Sequence, residues 1–546
     1  MIGTHLWQAL PFTMTEPTMN TTLQSYDEIP YNSRPIELTH PQALAARARA
    51  LGWQPPALEG ARVLELGAAS GGNLIPLAFY LPHTHFVGVD LSRAQVEDGQ
   101  KPIASLGLKN IELCHANILD LSPDPDRDAL GHFDYIIVHG VYSWVPPVVQ
   151  ERILSLCAER LSPNGLACIS YNVLPGFRVR QMTRDLLLEQ IDKNLPPRER
   201  LQQARALIER MHALTLNGTS LTAQALHEDL AHLLTVRDSY LYHEYLEETN
   251  EALSFAQFSQ RITHYGLEFV AETDLSGSYF IEEMSDHPRL TLEMDEDIRR
   301  GRPFRQSLLT RQTAPRKTMD NASRVRSLIW QAGLQAVNGD EIELATDSAF
   351  AVRELRSGRH YEVTHPLVKA ALALLINHGP AGLPGGELIE AACGLVRQYG
   401  HAREADKPAL LADALLRLWQ NGALNAAVVD SPPVQAHWAR SAVPERPKAH
   451  ALARLQAQSG AGYACACAHL PVELDGFSTA LLLALNGQQD RAALKAGLLA
   501  HLRQMPALRK ELGLDGMSTA ALSGLVERNI HRLLETFARE GLLEPD

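Results

Sequence analysis

A glycine-rich segment at residues 65–73, with the sequence ELGAASGGN, follows an apolar run and opens directly into a helical pattern. Glycine lets the backbone turn sharply and approach a ligand, and the first turn of a helix offers unpaired N–H groups and a positive dipole. Asp90 closes the next apolar run, where a carboxylate can hold both hydroxyls of a ribose. Together they indicate a site for an adenosine-containing cofactor, the alternative being a tight strand–helix turn that binds nothing.

The chemistry of this loop separates two kinds of adenosine cofactor. Ala69 stands where the dinucleotide fingerprint G-x-G-x-x-G has its middle glycine, which a pyrophosphate needs for close approach. Glu65, just before Gly67, would also repel a pyrophosphate. S-adenosylmethionine carries a sulfonium and an ammonium group instead, and these tolerate or use a neighbouring carboxylate. The loop therefore favours S-adenosylmethionine.

The elements around the loop alternate short apolar runs with helical patterns. Strands are predicted at residues 62–66, 85–90, 111–115, 134–138 and 166–171. Apolar runs without polar alternation indicate parallel strands covered by helices on both faces. The predicted fold is therefore a doubly wound, Rossmann-like α/β sheet that binds its ligands at the carboxyl edge of the strands.

Beyond this sheet the sequence changes to helical periodicity. Residues 178–260 predict a helical insert, and strand-like runs at 266–272 and 303–311 could complete the sheet. After a polar linker, Ala- and Leu-rich helical patterns continue to the end. The predicted organisation is a flexible tail at 1–22, a catalytic domain at 23–313 with its insert at about 178–300, a middle domain at 314–440 and a C-terminal domain at 441–546.

The composition limits the partners and the compartment. The 546 residues predict two to four domains, and 50 Lys and Arg against 63 Asp and Glu give a net charge of −13, which disfavours nucleic-acid binding as the main role. Six cysteines are too few for a disulfide framework, and no apolar stretch is long enough to predict a membrane span, so a cytoplasmic protein is expected. Cys465 and Cys467 have no second pair at ligand spacing, so no metal site is predicted.

Several stretches resemble the bacterial protein-lysine methyltransferase family that carries a methyltransferase regulatory domain. These are YDEIPYNSRPIELTHP (26–41), LELGAASGGNLIPLA (64–78), FVGVDLS (86–92), FDYIIVHGVYSWVP (133–146) and SYNVLPGF (170–177). The segments at 239–255 and 303–309 are similar to its regulatory portion and closing strand. The C-terminal third resembles its winged-helix-like domains more weakly. The resemblance implies a class I, S-adenosylmethionine-dependent methyltransferase with mainly helical C-terminal domains.

The resemblance also implies which residues bind the cofactor. Asp90 would hold the ribose and Leu91 would pack on the adenine, whose edge Asn117 and Ile118 would border; a turn-forming role is the alternative for Asn117. The residues implied around the methionine end are Gly67, Ala68, Gly71, Gly72 and Asn73. Glu65 of the same loop and His139 after the fourth strand are the further candidates for cofactor contact. Ala68 and Ala69 depart from the Cys-Gly that is frequent in the family, but their small side chains should still admit the methionine moiety.

The acceptor is expected beside the cofactor, where the fourth strand ends. Methyl transfer is an in-line displacement that needs alignment and a neutral nucleophile, whereas a lysine amine has a pKa of about 10.4. Aromatic walls lower that pKa, and an oxygen or imidazole can accept the proton. The candidates for this pocket are Tyr31, His139, Tyr142, Trp144, Tyr171 and Asn172. Ordinary packing is the alternative for each, and His139 is the first choice for contact with cofactor or acceptor.

Three functions remain open at this level. The main hypothesis is methyl transfer to exposed lysines of a partner protein, whose basic segments the negative charge would attract. A small-molecule methyltransferase with residues 178–260 as a lid is the second. The third is a scaffold of weak catalytic activity that binds S-adenosylmethionine and recruits a protein partner. Neither nucleic-acid binding nor membrane insertion is expected.

Overall fold

The computed structural model describes residues 28–29, 33–127, 130–275, 288–337, 343–344, 348–505, 509–510, 512–514 and 516–545. The tail predicted at 1–22 and the candidate pocket residue Tyr31 lie outside these ranges.

The secondary structure alternates strands and helices in the first part of the chain and becomes mainly helical later. The strands are β1 (Arg62–Leu66), β2 (His85–Asp90), β3 (Ile111–His115), β4 (Phe133–Val138), β5 (Leu161–Val173), β6 (Ala252–Leu253), β7 (Leu267–Glu272), β8 (Phe304–Arg311), β9 (Leu328–Gln331), β10 (Leu334–Ala336), β11 (Phe350–Glu354), β12 (His360–Val363), β13 (Leu383–Pro384), β14 (Asn425–Val428), β15 (Tyr463–Cys465) and β16 (Pro471–Glu473). The α-helices are α1 (Pro41–Ala50), α2 (Leu74–Tyr80), α3 (Arg93–Leu106), α4 (Pro147–Arg160), α5 (Arg178–Gln190), α6 (Pro197–Thr215), α7 (Leu221–Thr235), α8 (Asp238–Leu241), α9 (Phe255–His264), α10 (Arg289–Arg300), α11 (Asn321–Arg326), α12 (Pro366–His378), α13 (Gly385–Gln398), α14 (Ala402–Ala405), α15 (Pro408–Gln420), α16 (Val434–Trp438), α17 (Ala451–Gln458), α18 (Gly476–Ala484), α19 (Arg491–Gln504) and α20 (Thr519–Arg539).

The central sheet, as far as the chain is described, has eight strands in the order β3-β2-β1-β4-β5-β8-β7, with β6 paired to the end of β5. Strands β1 to β5 are parallel, and β8 runs antiparallel to β5 and β7. The strand order reverses direction between β1 and β4, which places a ligand-binding crevice at the carboxyl ends of these strands. The predicted doubly wound sheet is confirmed, and the runs at 266–272 and 303–311 do complete it.

The insert between β5 and β8 adds a helical layer and returns the chain to the sheet. Helices α5, α6 and α7 bury one face around Leu187, Ile208 and Leu230, and the chain then enters a π-helical turn at Tyr242–Leu246. On β8 the fully buried Arg305 pairs with Glu272, Glu293 and Asp297. Because the charge of a buried guanidinium must be balanced, this cluster fixes β8 against β7 and α10.

The middle part of the chain is less helical than the sequence indicates. It contains two three-stranded antiparallel sheets, β10-β11-β12 and β13-β9-β14, beside helices α11 to α15. Its buried apolar side chains continue without interruption into the core of the central sheet, from Ala48 and Tyr135 to Trp330 and Leu372. Short strands such as β9 carry too few residues for their pattern to stand out from a helical background.

The C-terminal domain combines the β15–β16 hairpin with helices α17 to α20 around their own apolar core. A smaller cluster, which includes Tyr80 of α2 and Leu452 and Cys465 of the C-terminal domain, joins this domain to the central sheet. Over the described ranges, none of the helices has the length and apolar character needed to cross a membrane.

Candidate active site

The loop between β1 and α2 turns sharply over the carboxyl end of the sheet. Gly67 has φ +78°, and a Cβ at this position would lie 2.3 Å from Cγ2 of Val141, which follows β4. Ala69 also adopts the left-handed region, with φ +49°. The turn therefore depends on glycine at residue 67, both for its backbone conformation and for the close approach of the β4 loop.

Asp90 is the last residue of β2 and links this strand to the turn by a hydrogen bond. Its Oδ2 accepts a hydrogen bond from the amide of Ala69 (2.7 Å), and its Oδ1 accepts one from the amide of Ser92 (2.8 Å). Each carboxylate oxygen can accept a further hydrogen bond, so Asp90 remains able to bind ribose hydroxyls. Leu91 and Ile118 are half-buried near the same edge, consistent with predicted contacts to an adenine.

Glu65 is buried at the end of β1, with 4% of its surface exposed. Its Oε1 accepts a hydrogen bond from Nδ2 of Asn73 (2.8 Å), while its Oε2 is buried with no partner among the described residues. Burial raises the pKa of Glu65 to about 8, the hydrogen bond from Asn73 opposes that shift, and the charge of Asp90 adds to it. A buried carboxylate oxygen without a partner is suited to a cationic ligand group.

Asn73 is held in place by several neighbours. Its Oδ1 accepts hydrogen bonds from the amide of Ile36 (3.0 Å) and from Nε2 of His469 (2.7 Å), and its Nδ2 also donates to Thr39 Oγ1 (3.1 Å). The amide is therefore fully hydrogen-bonded. The predicted contact of Asn73 with the methionine end stays a prediction, and the structure shows its Nδ2 bound to Glu65.

His139 follows β4 and lies against two residues of β8. Its ring packs edge-on against Phe304, and its Nδ1 lies 3.0 Å from Nε2 of Gln306. Thr273 Oγ1 donates to Gln306 Oε1 (2.8 Å), which fixes the amide so that its NH₂ faces His139. Nδ1 is therefore the acceptor and the ring proton is on Nε2. Burial lowers the pKa of His139 to about 4, so the imidazole is neutral at pH 7.

Asn172 lies near the end of β5, next to the part of the insert that leads into β6. Its Nδ2 donates to Oδ1 of Asn250 (2.8 Å), and its backbone amide donates to Oγ of Ser143 (2.9 Å). The chain thus brings amide groups from β5 and from the insert to the same edge of the sheet as His139. This arrangement provides polar groups where a methyl acceptor is expected.

The remaining candidates for the acceptor pocket differ in how far they are buried. Tyr142 and Tyr171 are fully buried, with Tyr171 stacked on Phe258 at 3.9 Å and Tyr142 edge-on to the same ring. Trp144 is half-buried. The burial of the two tyrosines supports the packing alternative for them. The roles in acceptor binding predicted for these residues stay predictions.

On the cofactor side, Asn117 Oδ1 accepts a hydrogen bond from the amide of Leu119 (3.0 Å). This bond is the one expected if Asn117 forms a turn. Ala68 is buried against Gly88 of β2, and Gly71 is buried beside Ile75 and Leu113. A Cβ at Gly72 would lie 2.3 Å from the backbone oxygen of Ser33, so the segment around Ser33 passes directly over the loop.

Sequence reasoning missed several residues that the fold adds to the site. Gln306 and Thr273 come from the strands that close the sheet, Asn250 comes from the insert, and His469 comes from the C-terminal domain. Gln306 and Asn250 had a signal in the sequence, because they lie in the segments at 303–309 and 239–255 that carry the family resemblance. No cluster of three or more metal-ligating side chains occurs among the described residues.

The fold and this site define a class I methyltransferase. Three family models match the chain: a methyltransferase domain at residues 64–167, a predicted methyltransferase regulatory domain at 237–311, and a PKMT C-terminal winged helix domain at 445–542. The chain belongs to the S-adenosylmethionine-dependent methyltransferase family that combines these three domains. The predicted fold class, enzyme class, cofactor and family are thereby confirmed.

Two relatives come from Rickettsia prowazekii. The uncharacterised protein RP789 is 40% identical over 254 residues, which is 46% of this chain and 45% of RP789. The uncharacterised protein RP028 is 38% identical over 237 residues, which is 43% of this chain and 93% of RP028. The chain thus spans about half the length of RP789 but nearly all of RP028.

Among solved structures, PKMT2 from Rickettsia typhi is similar over almost the whole chain. The match has a TM-score of 0.78 and 25% sequence identity, and it covers 94% of this chain and 100% of PKMT2. A second structure of PKMT2, in complex with AdoHcy, matches equally well. The similarity therefore includes the arrangement of the C-terminal domains as well as the central sheet.

Proposed function

We propose that this chain transfers methyl groups from S-adenosylmethionine to lysine side chains of a protein. The observation that carries the cofactor assignment is the buried Oε2 of Glu65, which has no partner in the described part of the chain. The ammonium group of a methionine moiety would neutralise it, whereas a pyrophosphate would be repelled. Binding of AdoHcy to PKMT2 supports the same cofactor.

The residues present fit this cofactor from end to end. Asp90 would bind the ribose hydroxyls, Glu65 would bind the ammonium, and the half-buried Leu91 and Ile118 would flank the adenine. When bound, S-adenosylmethionine supplies a methyl group on a positively charged sulfur, which leaves as a neutral thioether. The protein therefore has to align the acceptor and present it as a neutral amine.

His139 orients a group in this reaction and does not act as its general base. The hydrogen bond from Gln306 keeps the ring proton on Nε2, and a pKa of about 4 makes the imidazole a weak base at pH 7. Its Nε2–H can donate to an oxygen of the cofactor or of the acceptor. The lysine ammonium loses its proton to water, because burial and the nearby sulfonium lower the pKa of the amine.

A protein acceptor is supported by the domain composition. The C-terminal residues 445–542 match a PKMT winged helix domain, and PKMT2 has the same domain arrangement. The net charge of −13 favours encounter with basic, lysine-bearing segments. The likeness of the N-terminal segments to protein-lysine methyltransferases points to the same acceptor.

The test is incubation of the purified protein with methyl-labelled S-adenosylmethionine and a bacterial lysate. The expected result is label in protein that acid hydrolysis recovers as methylated lysine. Label confined to small molecules would establish a small-molecule methyltransferase, and binding of the cofactor without label would establish a scaffold.

The control for this test is Asp90→Asn, which keeps the size of the side chain but halves its hydrogen-bond acceptors. It should fold normally and bind S-adenosylmethionine about 100-fold more weakly. The reason is that the ribose hydroxyls lose a charged hydrogen-bond acceptor. Unchanged affinity in the folded variant would overturn the assignment of the pocket.

A further inference from the structure

The C-terminal domain sends one side chain into the loop that holds the proposed cofactor. Strands β15 and β16 are joined by a tight turn in which Ala466 accepts from the amide of His469 (2.9 Å) and donates to the oxygen of Leu470 (2.7 Å). His469 has φ +63°, in the left-handed region that non-glycine residues rarely adopt. Such a conformation is kept only where its surroundings impose it.

His469 is 1% exposed and makes a hydrogen bond across the domain boundary. Its Nε2 lies 2.7 Å from Oδ1 of Asn73, and its Nδ1 lies 3.9 Å from Sγ of Cys465. Because Asn73 Oδ1 also accepts from the amide of Ile36, this atom is an acceptor and His469 must donate from Nε2. Burial and the nearby His40 lower the pKa of His469, so the ring remains neutral.

The hydrogen bond continues to the carboxylate of Glu65. With Oδ1 of Asn73 fixed by His469 and Ile36, its Nδ2 is directed to Oε1 of Glu65 at 2.8 Å. That leaves Oε2 of Glu65 as the oxygen that has no partner in the described ranges, buried at the loop. The other titratable groups that face Glu65 are Asp90 and Cys168, both of which interact unfavourably with its charge.

A second contact shows that the C-terminal domain holds the same helix at its other end. Helix α2 begins directly after Asn73 and ends at Tyr80, whose hydroxyl donates to the oxygen of Cys465 (2.7 Å) and lies 2.9 Å from Nε2 of His450. Both ends of α2 are thus bonded to the C-terminal domain, so the position of the cofactor loop depends on that domain.

We propose that the C-terminal winged helix domain completes the cofactor site, with His469 as a positioning residue that orients Glu65 through the amide of Asn73. The proposal rests on the S-adenosylmethionine site described above. When His469 is removed, Asn73 Oδ1 keeps the hydrogen bond from the amide of Ile36 but loses its second donor. The amide is then held less firmly, and its Nδ2 is directed less strictly to Oε1 of Glu65. The winged helix domain then has a role in the reaction beyond contact with a partner.

The test measures binding of S-adenosylhomocysteine by the full-length protein between pH 6 and 9. His469→Ala removes the donor, and His469→Asn removes it with a residue that tolerates the left-handed backbone but is too short to reach Asn73. The matched control is Glu473→Gln, which breaks the partly exposed pair with Arg34 (2.9 Å) across the same interface without touching the hydrogen bonds to Glu65.

Both His469 variants should bind up to about tenfold more weakly, because the hydrogen bond from Asn73 to the carboxylate of Glu65 is weakened, and tenfold corresponds to the complete loss of such a bond. Their pH of tightest binding should also move upward, because the bond from Asn73 holds the pKa of Glu65 down, whereas Glu473→Gln should match the wild type. A lowered melting temperature with unchanged affinity and pH optimum would overturn the proposal, since it would show a purely structural role. Absence of binding by the wild type would instead overturn the cofactor assignment, and this proposal with it.

Discussion

Glu65 is the buried carboxyl group whose ionisation determines how the site responds to a cationic ligand. A buried carboxylate with no cationic partner favours its protonated form, and here its pKa rises to about 8. In the free protein this group lowers stability as the pH rises from about 4.5 to 8, because the folded state then holds a proton that the unfolded state has lost. A ligand ammonium would offset this loss of stability. Ionised Glu65 therefore destabilises the protein without ligand and stabilises the complex with a cationic ligand.

Binding of S-adenosylhomocysteine at pH 7 should therefore release a proton from Glu65. Affinity should rise with pH to about 8, where the carboxyl ionises, and fall above it, where an α-amino group with a pKa of about 8 loses its charge. Calorimetry in buffers of different ionisation enthalpy measures the released proton. Glu65→Gln should abolish the release and weaken binding; the same proton release in this variant would contradict the assignment.

At the scale of elements, the site is made where strand ends and loops meet. Gln306 of β8 lies against His139, the residue that follows β4, although the two residues are far apart in sequence. The buried pairs of Arg305 hold β8 in register, so the tautomer of His139 depends on how the sheet closes. The β1–α2 loop depends in the same way on Val141, which packs over Gly67.

Gln306→Met should release the ring of His139 with little change in side-chain volume. Nδ1 then loses its donor, both tautomers become accessible, and kcat should fall about tenfold while the KM for S-adenosylmethionine changes little. Steady-state kinetics with a protein acceptor measure the split. Thr273→Val, which removes only the bond that orients Gln306, should show a smaller effect in the same direction. A change confined to KM would contradict this role.

Gly67→Ala should destabilise the fold more than Gly60→Ala does. The two glycines have nearly equal φ values, +78° and +76°, but a Cβ meets Val141 at Gly67 and open space at Gly60. Both variants should lose about 1–2 kcal/mol of unfolding free energy, because alanine is strained in the left-handed region. Gly67→Ala should lose more, because its Cβ also displaces the loop after β4. Urea unfolding of the two variants gives the comparison, and equal losses would show that the contact with Val141 is unimportant.

At the scale of the whole molecule, the domains form a continuous structure around the sheet. The middle part of the chain shares its apolar core with the sheet, and the C-terminal domain packs on α2 through Tyr80, Leu452 and Cys465. The boundary with the C-terminal domain contains the buried imidazoles of His40, His450 and His469. Burial lowers the pKa of His40 to about 4 and that of His450 to about 3, so the boundary is stable only while these rings are neutral.

Stability should therefore fall as the pH drops from about 6.5, where an unfolded histidine binds a proton, to about 3, where the folded His450 does. His450→Asn should reduce this pH dependence, because asparagine can still cap α17 by accepting from Ala453 but cannot be protonated. Melting temperatures between pH 4 and 7 measure it, with His437→Asn at an exposed site as control. Parallel curves for all three proteins would contradict the expectation.

The sequence by itself determined the sheet, the glycine turn and the residues that follow each strand, because strand periodicity and turn chemistry are local properties. It therefore predicted Gly67, Asp90 and His139 correctly as residues at the carboxyl edge of the sheet. Tertiary structure alone decided which side chains complete the site. Gln306, Asn250 and His469 are distant in sequence, and no local pattern shows that β8, the insert and the C-terminal hairpin converge there. Packing also decided that Tyr142, in the turn after β4, and Tyr171, on β5, are buried, since no local pattern shows which side of the sheet these aromatic rings cover.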